Sequence, residues 1–164
     1  MTAVNLNRAI RGPVTAVPVV AGKGVRIVPD TVNNRFVAEA DETVLWEDAN
    51  GKKPSVTGDF PITLSEPISN FERVKFYWHT FTETYQNHTI SEKMTDDTSF
   101  TLEGCTYNSS LDAAFTFLWV LTTSGTTLSH AMCKYNNWAN NNVQGGALYV
   151  SLYKVVGINR KASN

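Results

Sequence analysis

The sequence predicts an all-β chain: a short β-rich shaft segment followed by an antiparallel β-sandwich head of jelly-roll type. Three observations predict it. Apolar side chains alternate with period two in FERVKFYWHT, where Val74, Phe76 and Trp78 share one face and Arg73, Lys75, Tyr77 and His79 the other. Short apolar runs are punctuated by Gly, Pro and Asn pairs, the residues that set turn geometry. No segment sustains the i, i+3, i+4, i+7 apolar spacing of a helix. The 164 residues suffice for one compact domain, or a small domain with an appendage.

The elements follow in order. Residues 1–20 (MTAVNLNRAIRGPVTAVPVV) have neither helical nor strand periodicity, and Gly12, Pro13 and Pro18 bar a long regular element. An apolar extended arm is expected, lying either on its own body or on a partner. Residues 21–46 hold three short runs, at Val25–Val28, Arg35–Ala40 and Thr43–Trp46, separated by Gly-Lys-Gly, Pro-Asp and Asn-Asn. Strands this short are marginal as an isolated hairpin and call for pairing with another chain or with the body. Residues 47–61 contain Asn50-Gly51, Lys52-Lys53-Pro54 and Gly58-Asp59 with little to bury, which marks a linker.

Residues 62–164 read as the head, with about eight strands. The segment AAFTFLWVLTT is apolar on both faces, Phe115, Phe117, Trp119 and Leu121 against Leu118 and Val120, as in a central or interface strand. In ALYVSLYKVVG, Leu148, Val150 and Leu152 alternate with Tyr149, Ser151 and Tyr153. Further strands are expected at 89–94, 99–103 and 126–135, with Ser124-Gly125 as a hairpin turn.

Composition narrows the function. Fourteen basic and fifteen acidic side chains leave a net charge of −1, which argues against nucleic acid as a partner. Charged residues make up 18% of the chain, against an average of about 25%; Thr, Asn and Ser supply the polar surface instead. No stretch approaches the ~18 apolar residues of a membrane helix, so no membrane association is expected. Asn5, Asn7 and Arg8 interrupt any signal-peptide core, so standard secretion is not expected either. Cys105 and Cys133 are too few for a disulfide scaffold: one bridge is conceivable, and two buried thiols are preferred.

Catalytic signatures are missing. His79, His88 and His130 form no HxH or HExxH grouping, so neither a metal nor a cofactor is expected. There is no GxSxG motif, and Gly22-Lys23-Gly24 lacks the rest of a phosphate loop. Asp96-Asp97 and Asp41-Glu42 fall at turn-like positions, and the sequons at Asn87 and Asn108 occur at chance frequency for so Asn-rich a chain. The chain is therefore expected not to be an enzyme. The most unusual stretch is YNNWANNNVQGG, with Tyr135, Asn136, Asn137, Trp138, Asn140, Asn141 and Asn142 between two expected strands. Amides offer donors and acceptors and an indole stacks on a sugar face, so one reading is a ligand-binding loop. The other is a long turn whose Trp packs into the core.

The run AGKGVRIVPDTVNNRFVAEADETVLW resembles the shaft of trimeric fibres of bacteriophages and adenovirus-type particles. ITLSEPISNFERVKFYW and LYKVVGINR resemble the β-rich tips of tailed-phage fibre and receptor-binding proteins. The resemblance implies a homotrimeric virion protein, made in the host cytoplasm, held to a capsid or tail protein by its N-terminal arm. Its head would contact the host surface, with a bacterial glycan as the expected ligand. Alternatives are a head fibre that decorates or stabilises a capsid without a receptor, and a bacterial β-sandwich carbohydrate-binding module.

Overall fold

The structure, a computed structural model, describes residues 25–33, 35–81, 86–108, 113–139 and 142–161. The expected anchoring arm, residues 1–20, lies outside them. Among these residues there are eleven strands, two 3-10 turns and no α-helix, and every strand pairing is antiparallel. The chain divides into two compact units, 1–41 and 42–164.

The described part of the first unit is a hairpin. Strands β1 (Val25–Asp30) and β2 (Arg35–Ala40) pair from Val25↔Ala40 to Asp30↔Arg35. Asp30 braces the turn, its carboxylate accepting from the Asn33 backbone N–H at 3.2 Å and side-chain amide at 2.9 Å. Among the described residues these two strands are the whole sheet; Phe36 on β2 and Val32 in the turn are exposed.

The second unit holds β3 (Glu42–Lys52), β4 (Ile62–Thr63), β5 (Phe71–Phe81), β6 (Gln86–Met94), β7 (Ser99–Asn108), β8 (Ala113–Ser124), β9 (Thr127–Asn137), β10 (Asn142–Gly145) and β11 (Val150–Arg160). One sheet runs β3-β11-β5-β6; the other runs β10-β9-β8-β7, with β4 also on β9. Their buried faces share one core. The alternation in β5 reads as expected: Val74, Phe76 and Trp78 are all fully buried. Trp78 meets Trp119 of the facing sheet edge-on at 5.9 Å, and Phe76 meets Phe100 at 5.2 Å. Both indoles satisfy their N–H groups, Trp78 donating to Ser91 Oγ at 2.9 Å and Trp119 to His130 Nδ1 at 3.0 Å. Gly104 makes room for Trp78, since a Cβ there would sit 2.8 Å from the indole.

Three expectations change. First, the 47–61 linker is not continuous: Glu47–Lys52 belong to β3, as does the third shaft run, Thr43–Trp46. The turn residues there form an irregularity within a strand. Between Glu47↔Lys154 and Lys52↔Leu152, Asp48 accepts from the Asn50 N–H at 2.9 Å and Gly51 adopts φ +69°. The second compact unit therefore begins at residue 42 instead of 62. Second, Leu148 lies in a 3-10 turn (Ala147–Tyr149) and is exposed, so the last alternating run starts at Val150. Third, Cys105 and Cys133 are both free thiols, as preferred, but only Cys133 is buried; β7 turns Leu102 and Thr106 inward and Cys105 outward. The expected strand count holds: the described part of residues 62–164 carries eight strands, β4 to β11, with β4 and β10 as short pieces on one edge of β9.

Candidate functional site

The outward face of the five-stranded sheet is built by register. Cys105, Thr116, Asn136 and Val143 stand side by side across β7, β8, β9 and β10. The adjacent row carries Glu103, Leu118 and Lys134. Between these rows lies an open groove of about 700 Å³ that also reaches Met132. Leu118, Met132 and Val143 are exposed apolar groups in it, while Glu103, Lys134, Thr116 and Asn136 bring opposite charges, a hydroxyl and an amide. Side chains of this mix suit a ligand that is polar at its rim and apolar on its face.

Alternation along β9 sorts the predicted site residues. Tyr135, Asn136 and Asn137 lie within the strand, not in a loop. Tyr135 points toward the core, its ring 5.8 Å from Phe117 and 5.2 Å from Tyr149, and its hydroxyl donates to Gln144 Oε1 at 2.8 Å. Burial, with Tyr149 beside it, pushes the Tyr135 phenol above its ordinary pKa. Asn136 faces the groove, and its Oδ1 is buried with no hydrogen-bond partner among the described residues. Asn137 accepts from the Ala139 N–H at 3.0 Å and so shapes the β9–β10 turn. Asn142 opens β10 opposite Asn137, while Asn140 and Asn141 lie outside the described residues.

Trp138 sits just beyond β9. Its backbone N–H bonds to the Ala114 carbonyl at 2.9 Å, and its indole Nε1 donates to Thr116 Oγ1 at 3.3 Å. The indole therefore lies against the outward face of β8 beside the groove, and it is 62% exposed. It does not pack into the core. Tyr135 and Trp138 thus do not form one aromatic platform; Trp138 is joined to the groove through Thr116. The sequence did not point to Thr116, Leu118 or Val143, which reach the site only through strand register.

The groove presents an apolar floor with donors and acceptors, and the exposed Trp138 indole beside it adds a stacking face. Glu103 is the one carboxylate among the described residues lining it. Two-carboxylate glycoside hydrolysis, which needs a second acid within ~5–9.5 Å, finds no such partner in that lining. No protein-family model and no curated protein matches this chain.

Proposed function

We propose that the chain is a non-enzymatic bacteriophage fibre protein. It is a homotrimer anchored to a capsid or tail protein through residues 1–20, and its body contacts a bacterial surface glycan through the Trp138 groove. The observation that carries this reading is the β1–β2 hairpin, a sheet of two strands among the described residues, with Phe36 and Val32 exposed. Two strands alone are marginal in water. Three copies wrapping these hairpins around a common axis would cover the exposed groups and raise the avidity of a weak single-site contact. Sedimentation of the full chain at micromolar concentration tests it: a mass of three chains is expected, reduced by Phe36→Lys. A single-chain mass for the unsubstituted protein overturns it.

The groove by itself also favours a second reading, a bacterial carbohydrate-binding module. That reading requires a single chain to bind polysaccharide without assembling. A capsid decoration without a receptor would leave host adsorption indifferent to Trp138, while loss of residues 1–20 would strip the protein from particles.

A further inference from the structure

The four-stranded sheet carries a second constellation, on its outward face. His79 of β5 and His88 of β6 are directly opposed in the antiparallel ladder, nine residues apart in sequence. Their rings meet with centroids 3.9 Å apart, at 75° to one another. On the other side of β5, the pairs Leu152↔Trp78 and Lys154↔Tyr77 leave Tyr153 as an extra residue in β11. That bulge sets the Tyr153 ring 4.5 Å from His79 and 5.9 Å from His88, so the phenol holds the His79 imidazole in place. The Nε2 atom of His79 is buried and has no hydrogen-bond partner among the described residues. His88, by contrast, is exposed. An imidazole nitrogen kept from both water and protein partners retains a lone pair or an N–H with nothing to meet it, at a cost that a ligand would relieve.

We propose that His79 and His88 form a two-imidazole binding site for a divalent transition-metal ion of the Zn²⁺, Ni²⁺ or Cu²⁺ class. Nitrogen donors select these ions over Mg²⁺ and Ca²⁺, which take oxygen ligands. Directly opposed residues on adjacent strands have Cβ atoms ~4.5–5.5 Å apart, within the reach of two imidazoles on one ion with metal–nitrogen distances of about 2.0–2.1 Å. The rings now sit closer than two imidazoles sharing an ion, so loading turns the exposed His88 outward while Tyr153 keeps His79 in position. No group of three or more His, Cys, Asp and Glu side chains gathers among the described residues. The remaining coordination positions are thus left to water or to an outside ligand. The site lies on the opposite sheet from the Trp138 groove and stands independently of the proposed function.

The test is calorimetric titration of the full chain with Zn²⁺ and Ni²⁺ at pH 7.5, together with the electron paramagnetic resonance spectrum of the Cu²⁺-loaded protein. Expected are one ion per chain, superhyperfine splitting from two imidazole nitrogens, and at least a tenfold loss of affinity in His88→Asn and in His79→Asn. His130→Asn and Cys105→Ser should bind as the unsubstituted chain does. If a substituted chain fails to fold, zinc protection of His88 from diethylpyrocarbonate in the unsubstituted protein, read by mass spectrometry, takes its place. Equal affinity in His88→Asn, loss of binding in Cys105→Ser, or no zinc protection of His88 overturns the site.

Discussion

The indole Nε1 of Trp119 donates to Nδ1 of His130 at 3.0 Å across the β8–β9 pair. The two can meet because β9 carries an extra residue, Ala131, between the pairs Val120↔Met132 and Leu121↔His130. His130 thereby shares the inner side of the sheet with Trp119 and lies 6.2 Å from the Phe60 ring. An Nδ1 that accepts must be unprotonated, so the ring is neutral with its proton on Nε2.

That bond makes stability depend on pH. Burial holds His130 below the ordinary imidazole range. The unfolded chain, with a histidine pKa near ~6.5, then binds the proton more readily than the folded one. The His130 contribution is therefore complete above about pH 6.5 and is lost as pH falls through the lower folded value. Denaturation midpoints at pH 7.5 and 5.5 should drop more for the unsubstituted chain than for His130→Asn, whose amide oxygen can accept from Trp119 without titrating. Equal drops would contradict the assignment. His130→Ala should cost about 1–3 kcal/mol at pH 7.5 by leaving the indole N–H without an acceptor.

A second prediction concerns Gly157. This buried position of β11 lies against Phe71, and an added Cβ would fall 2.5–2.6 Å from three ring atoms. The Phe71 ring cannot retreat easily, being fully buried and capped by the Arg160 guanidinium at 4.8 Å. Gly157→Ala should destabilise by about 1–3 kcal/mol in urea denaturation, the usual cost of overpacking. Adding Phe71→Leu should cost less than the sum of the two single changes. Strict additivity would show that the contact is not the cause.

The two thiols should differ in reactivity. Burial pushes Cys133 up to about 12, which leaves almost no thiolate near pH 8, whereas Cys105 is exposed on β7. Ellman's reagent at pH 8 should label one thiol per native chain and two after unfolding. Rapid labelling of two native thiols would place Cys133 in reach of solvent.

Much of the body was legible because period-two patterning survives in β5 and β8, where Val74, Phe76, Trp78, Phe115, Phe117, Trp119 and Leu121 are all buried. What patterning could not supply was register. Asn50-Gly51 carries the same turn chemistry in a strand irregularity as in a linker, so the sequence alone does not reveal that β3 runs to Lys52. Cys105 has a buried residue's chemistry, but its position in β7 turns it to solvent. The candidate site follows the same logic. Tyr135 and Asn136 are consecutive strand residues and must face opposite ways, while Trp138 meets Thr116 across 22 positions of sequence. His79 and His88 showed no metal spacing as a linear motif; the hairpin pairs them.

The claim that the outward sheet face recognises a bacterial glycan is tested most directly on an array of bacterial capsular, O-antigen and teichoic-acid polysaccharides. The full chain and Trp138→Ala would be compared side by side. Because the indole is 62% exposed, its removal should barely change the melting temperature. Retention of the unsubstituted protein on at least one polysaccharide is expected, with loss of at least tenfold in signal for Trp138→Ala. Retention on none, or equal retention by both proteins, would contradict it.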